Sequence, residues 1–183
     1  WIVLEEMDQM WIPVEKDWRL NERHYGVLTG LRKDEIAAKL GEKQVYIWRR
    51  SYDIPPDPID VSDPRNPAND RRYRHIPPHD IPRGECLKDT VNRIVPYWNE
   101  SIAPAIRQGK TIIITSHGNA LRALVKHLAN ISEEDIVSFT IPTGVPLVFK
   151  LDDDLNTVSY EFLGDPKDIE AAIQAVDNQG KCR

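Results

Sequence analysis

The sequence predicts an α/β domain: a three-layer α/β/α arrangement whose sheet is mostly parallel with an antiparallel edge. Ile112, Ile113 and Ile114 form a short continuous apolar run, the mark of a strand covered on both faces. Helical spacing follows almost at once, at Leu121, Leu124, Val125 and Leu128, so a strand feeds directly into a helix. Near the other end, Val145–Leu151 and Thr157–Leu163 read as two strands joined through Asp152–Asn156, hence a hairpin and the antiparallel edge.

The elements follow in chain order. WIVLEEMDQM reads as the end of an amphipathic helix (Trp1, Leu4, Met7) without an N-terminal cap. Trp11–Trp18 has the look of a short strand, with Pro13 favouring an edge or a strand start. Arg19–Leu31 is too polar and glycine-marked for a core element. Lys33–Leu40 is a short helix stopped by Gly41, and Glu42–Arg50 is a second, with Val45 and Trp48 on one face. Residues 51–83 hold 8 of the 14 prolines, so this stretch is an extended excursion, the kind of long loop that is either functional or partly disordered. Leu87–Gln108 shows the strongest helical pattern, with Leu87, Val91, Ile94, Val95, Trp98, Ile102 and Ile106 on one face. Pro96 should kink it and Gly109 should close it. Ser132 caps a further helix rich in Glu133, Glu134 and Asp135. Asp165 as N-cap, Pro166 at the first position and the set Ile169, Ala172, Ile173, Val176 define the last one. Residues 178–183 form a polar tail, read as flexible.

At 183 residues with 40% hydrophobic content, residues 1–183 make a single domain able to bury a substantial core. Trp1 stands where a Met would open a chain, and Ile112–Ile114 expects strand neighbours that the sequence scarcely offers. The chain is therefore expected to start inside a larger protein. A net charge of -5 argues against general nucleic-acid binding. Cys86 and Cys182 stand far apart, without a CxxC or Cys/His cluster, so neither a zinc site nor a disulfide framework is implied. No apolar run approaches the roughly 18 residues of a membrane span and no signal-peptide pattern opens the chain, so a cytoplasmic location is the default.

Three stretches carry chemistry. Ser116, His117, Gly118 and Asn119 sit where the expected strand meets its helix, at the ligand-binding end of an open α/β sheet. Helix-start N–H groups suit an anion there, and a histidine can transfer a proton or sit beside a phosphoryl group. The plainer reading is a helix cap. Leu20–Gly26, LNERHYG, sets a carboxylate, a guanidinium, an imidazole and a phenol side by side. Acid/base and cationic groups so close suit phosphoryl transfer to or from an alcohol, although a polar loop with a local Glu–Arg pair would read the same. Arg49 and Arg50 end a helix, where cations favour the dipole. One would satisfy that role, and two in succession fit a bidentate anion clamp better. Lys33, at a helix start, is misplaced for the dipole and hints at an anion. Asp70-Arg71-Arg72, His75 and His79 read as surface polar residues, and His127 as an ordinary, partly buried histidine.

Together LNERHYG, WRRSYDIPP, SHGNALRALVKHL and IPTGVPL resemble the 2,3-bisphosphoglycerate-dependent phosphoglycerate mutases of the histidine phosphatase superfamily, in order, from residue 1 to Lys181. The resemblance implies Glu22 as proton donor and acceptor and His117 as second active-site histidine. Arg23, His24, Tyr25, Lys33, Arg49, Arg50, Gly118 and Asn119 would contact substrate. It implies 2,3-bisphosphoglycerate as phosphoryl primer, no metal, small phosphoglycerate substrates interconverted in glycolysis, and a cytoplasmic homodimer or homotetramer that binds neither nucleic acid nor membrane. It also implies a mobile C-terminal tail near the site. The family's Arg-His-Gly motif, whose histidine is phosphorylated, does not occur in these residues. A bisphosphoglycerate synthase or phosphatase of the same family would share the motifs, and a non-catalytic anion-binding fragment is the reading from another class.

Overall fold

The computed structural model describes residues 1–178, the side chains of Lys33 and Asp34 excepted. Helices dominate it: α1 (Ile2–Glu6), α2 (Lys33–Leu40), α3 (Glu42–Arg50), α4 (Leu87–Tyr97), α5 (Ala103–Arg107), α6 (Gly118–Leu128), α7 (Asp135–Ser138) and α8 (Pro166–Asp177). Between α7 and α8 come β1 (Leu147–Leu151) and β2 (Thr157–Phe162).

The predicted mostly parallel three-layer sheet is not what forms. The described residues contain one sheet, the antiparallel pair β1–β2. The segment expected at its centre, Thr111–Thr115, belongs to no helix, turn or ladder, with Ile112 38% and Ile113 76% exposed. Only Ile114 packs against the main core. The cause is that an apolar run reports side-chain chemistry, whereas a strand also needs a partner whose N–H and C=O groups match its own. Trp11–Trp18 is likewise no strand: a turn at Trp11 leads through residues without regular structure into a 3-10 turn at Trp18–Leu20.

The core is a helix pair. Leu87, Ile94, Tyr97 and Trp98 of the first long helical stretch pack with Ala120, Ala123 and Leu124 of α6, joined by Ile102, Ala103 and Ile136. Two alanines on α6 leave room for the larger side chains opposite, and neither Ile94 nor Ala123 has any exposed surface. The predicted kink appears as a π turn at Trp98–Ile102 that joins α4 to α5. It lies between Pro96 and Pro104, each of which removes an N–H from the helical ladder. A smaller core gathers Leu28, Ile36, Ala37 and Val45 under Trp48.

Local signals set the other elements. Asp165 accepts the Lys167 N–H at 2.8 Å to start α8, and the Ser132 hydroxyl accepts the Asp135 N–H at 2.9 Å ahead of the single turn of α7. In the hairpin, Phe149 stacks on Tyr160 with ring centroids 5.1 Å apart. The proline-rich excursion is ordered by short 3-10 turns at Pro67–Asn69, Arg71–Tyr73 and Pro78–Asp80, with Ile59 and Asn66 buried at 2% exposure each. The backbone of Ile59 donates to Arg83 O at 2.9 Å, which closes the excursion on itself. No helix among the described residues is long and apolar enough to cross a membrane.

The two isoleucines should therefore differ sharply. Ile94→Ala should cost about 2–5 kcal/mol in urea unfolding, the range for emptying a packed core site. Ile113→Ser, at a side chain open to water, should cost less than about 0.5 kcal/mol. Similar losses from both would return the Ile112–Ile114 run to a covered layer.

Candidate active site

LNERHYG forms a loop without strand or helix ladder, and buried side chains shape it. Arg93 of α4 donates through Nη1 to Arg19 O at 2.5 Å and through Nη2 to Asn21 O at 2.9 Å and Glu22 O at 3.3 Å. Its Nε donates to Glu85 Oε1 at 2.7 Å. Glu85 Oε2 accepts the His24 backbone N–H at 2.8 Å and lies 3.0 Å from His24 Nδ1. Gly26 closes the loop: at φ +58°, an added Cβ would stand 2.0 Å from Asp57 O, so only glycine fits.

This loop meets the start of α6. Glu22 Oε1 accepts its neighbour Arg23's N–H at 2.7 Å, and Oε2 accepts the Asn119 N–H at 3.3 Å in the first turn of α6. Asn119 Nδ2 donates to Tyr25 Oη at 2.8 Å, while Asn119 Oδ1 accepts from Arg122 Nη1 at 2.9 Å. The Ser116 hydroxyl donates to Leu20 O. His117 is the N-cap, its backbone extended at φ -90° and ψ 164°, and its exposed side chain makes no capping bond. A carboxylate is thus presented to free helix-start N–H groups, where the dipole favours negative charge.

Guanidinium groups surround the meeting point. Arg23, 2% exposed, donates to Trp48 O at 2.5 Å and Glu85 O at 3.3 Å and lies over the Tyr25 ring. Arg50 donates to Thr140 Oγ1 at 3.2 Å and pairs with Asp177 of α8 at 2.5 Å, and Thr140 donates to the same carboxylate oxygen at 2.7 Å. Arg122, 5% exposed, donates otherwise to Ile136 O. The Nε atoms of Arg23 and Arg122 are buried without a hydrogen-bond partner among the described residues. Burial, then the neighbouring Arg50 and Arg23, pushes the Arg122 guanidinium down to about 10. Burial and then Arg50 lower Arg49 as well.

Tyr25, Arg49, Arg50, Asn119, Arg122 and Thr140, with the Gly118 backbone, line one small cavity that Ile141 and Val176 complete. Its volume of about 70 Å³ is several times the roughly 10–15 Å³ one water needs, which suits a single small anionic group. Of the residues expected at the site, Tyr25, Arg49, Arg50, Gly118 and Asn119 meet here. Glu22 reaches it through Asn119, and Arg23 stacks behind Tyr25. His24 is turned to Glu85, and the Lys33 side chain lies outside the described residues, as does the tail beyond Asn178. Arg122, Thr140 and Asp177 at the cavity and Glu85 and Arg93 behind the loop went unnoticed in the sequence. Arg93 and Arg122 could have been found as charges set within the inward stripes of α4 and α6. His75 and His79 are exposed, and His127 sits on the outer side of α6, where partial covering lowers its pKa. Among the described residues no three His, Cys, Asp or Glu side chains are grouped to hold a metal ion.

Burial by itself would raise the Glu85 carboxyl, but hydrogen bonds from His24 and Arg93 and the Arg93 charge outweigh it and hold the group at about 2. A folded value below the ordinary 4.5 means that ionised Glu85 contributes stability in full above that value. That contribution is lost as pH falls through it toward the folded value. Glu85→Gln should be less stable than the parent at neutral pH and should lose less on acidification from about pH 4.5 to 2. Urea unfolding across that range checks this, and an equally steep acid loss would remove Glu85 from the role.

A profile of the histidine phosphatase superfamily (branch 1) matches residues 60–160. Among solved structures, the chain is similar to the native structure of a mycobacterial glucosyl-3-phosphoglycerate phosphatase, with 18% identity and a TM-score of 0.55. The match covers 88% of this chain and 69% of that one, a likeness of fold. The profile spans more than half of the chain and takes in Glu85, Arg93 and the His117–Arg122 stretch. On that match this chain belongs to the histidine phosphatase superfamily, branch 1, whose chemistry is phosphoryl transfer.

Proposed function

We propose that the site works in phosphoryl transfer on a small phosphomonoester that carries a second anionic group, of the phosphoglycerate class, with hydrolysis as the net reaction. The observation that carries the reading is the Glu22 carboxylate on the Asn119 N–H, with Asn119 lining a cavity that is also lined by Arg49, Arg50 and Arg122. Hydrolysis is the first reading because the similar fold belongs to a glucosyl-3-phosphoglycerate phosphatase.

Each group has a part in this scheme. When the substrate P–O bond breaks, Glu22 gives a proton to the leaving alcohol oxygen; when water attacks the transferred phosphoryl group, Glu22 takes a proton from it. The Gly118 N–H at the start of α6 and the adjacent His117 receive negative charge on the transferring group. Arg49, Arg50 and Tyr25 hold the substrate's other anionic end. The residue that accepts the phosphoryl group, a histidine by the family's name, is not assigned to this chain, since none of its histidines lies in an Arg-His-Gly motif.

The second reading is the mutase. The orphaned Nε atoms of Arg23 and Arg122 and the surplus of guanidinium groups fit a polyanion such as 2,3-bisphosphoglycerate. Bound there, that compound supplies the phosphoryl group that exchange between two hydroxyls requires.

Phosphorus NMR of 3-phosphoglycerate incubated with the protein separates the readings. Release of inorganic phosphate is expected; 2-phosphoglycerate without release would make the mutase reading the correct one. Substrate binding with neither product would leave an anion-binding module. Where turnover is seen, Glu22→Gln should lower it by about 10²–10⁴ without changing the melting temperature. Gly118→Ala gives a separate check. A Cβ at Gly118 meets nothing within 4 Å, and alanine favours a helix by about 1 kcal/mol, so stability should hold or rise. Substrate affinity should fall as the methyl group obstructs the helix start. Unchanged affinity would move the anion away from the Gly118 backbone.

A further inference from the structure

We infer that Arg122 is the charge-selecting residue of the cavity: a dianionic phosphoryl group is the counter-ion that this buried guanidinium lacks in the chain itself. The inference deepens the proposed function, on which it rests, by assigning a group that selects a doubly charged ligand over a singly charged one.

The argument begins with the company Arg122 keeps. Arg93, the other buried arginine facing the loop, has the Glu85 carboxylate at 2.7 Å. Arg122 is 5% exposed, and its two hydrogen-bond acceptors, Asn119 Oδ1 and Ile136 O, are both neutral. No carboxylate among the described residues pairs with it, and its Nε has no acceptor. A purely structural donor could satisfy an amide and a carbonyl without a full charge, whereas a buried cation without a counter-ion is a costly arrangement.

The surroundings sharpen the contrast. The charged and titratable groups acting on Arg122 are Glu22, Arg23 and Tyr25 from the loop and Arg50 from α3. Arg49 and Arg50 share its cavity. The Asp177 carboxylate at this end is already engaged by Arg50 and Thr140 and stays 43% exposed. The Glu22 carboxylate is taken up by two backbone N–H groups. A doubly charged ligand gains more than a singly charged one beside a buried guanidinium that has no carboxylate of its own and has Arg23 and Arg50 as cationic neighbours. A phosphoryl dianion has both the second charge and enough acceptor oxygens to bond the Arg122 guanidinium and the neighbouring Gly118 N–H together.

Calorimetric titration of the full chain with inorganic phosphate tests this, at fixed ionic strength and from about pH 5.5 to 8, across the second ionisation of phosphate. Acetate, a monoanion throughout that range, reports any titration of the protein's own groups. Phosphate affinity should rise more than about tenfold with pH while acetate affinity does not. Arg122→Gln should bind phosphate at least about tenfold more weakly at the upper pH and lose the rise, and Arg122→Lys, which keeps the charge without the fork, should recover the rise and part of the affinity. A folded Arg122→Gln protein with the parent's phosphate affinity and pH rise would overturn the inference. If Arg122→Gln does not fold, the side-chain Nε–H signal of Arg122 in the parent decides. It should shift and exchange more slowly with water on saturation with phosphate and not with acetate; no response to phosphate overturns the inference. Glu22→Gln should keep the phosphate pH rise whatever its turnover, so failure of the acid/base reading and failure of the Arg122 assignment give different results.

Discussion

The buried ion pair between Arg93 and Glu85 gives the loop from Arg19 to Tyr25 its shape. The loop has no ladder of its own, yet three of its carbonyls accept from one guanidinium, and the His24 N–H is taken by the paired carboxylate. Glu22 lies between those anchors, so its backbone is held on both sides and its carboxylate can meet the Asn119 N–H. Removing one partner of such a pair strands the other and typically costs about 3–5 kcal/mol, against the roughly 5–15 kcal/mol that holds an ordinary domain together. Site geometry and global stability therefore rest on the same two side chains.

Charges buried on neighbouring helices are treated in opposite ways. Around Glu85 the chain supplies everything the carboxylate needs, and the group stays ionised well below the usual carboxylate range. Around Arg122 and Arg23 the acceptors are neutral, and the buried Nε of each has no acceptor among the described residues. The partial positive end of α6 has the same sign as these side chains and adds to their field. A chain with net charge -5 thus carries a local positive region where two of its segments meet. Such a field attracts anions over a distance set by ionic strength, and between its buried groups it is screened less than at an open surface.

What the sequence makes legible is what is local. Helical spacing found α2, α3 and α8 at their observed limits and the body of α6 from Leu121, because periodicity and caps such as Asp165 act within a turn. The hairpin was legible for the same reason, with strands and turn contiguous. The expected central strand was not, because its ladder partner would have to come from elsewhere in the chain and none of the described residues provides one. The site divides along the same line. ERHY, the paired arginines and SHGN were visible as concentrations of chemistry in consecutive positions. Arg93, Glu85, Thr140 and Asp177 act across long stretches of chain: Arg93 reaches Arg19 over 74 residues and Arg50 reaches Asp177 over 127. No local pattern marks a side chain whose partner is that remote.

Helix α6 joins these levels because its successive stripes do different work. Ala120, Ala123 and Leu124 face the core, while Gly118, Asn119 and Arg122 border the cavity. The small pair Ala120 and Ala123 accommodates α4 with Leu87, Ile94 and Trp98 in the same core. From α4, Arg93 reaches the loop that carries Glu22; from α6, Asn119 meets the Glu22 carboxylate. Enlarging either alanine would therefore move two anchors relative to each other: the one that holds the backbone of Glu22 and the one that receives its side chain. Packed interiors tolerate little added volume, and a hydrogen bond already at 3.3 Å has little length to spare. The helix spacing is thus set by the core, and the placement of the acid/base group follows from it.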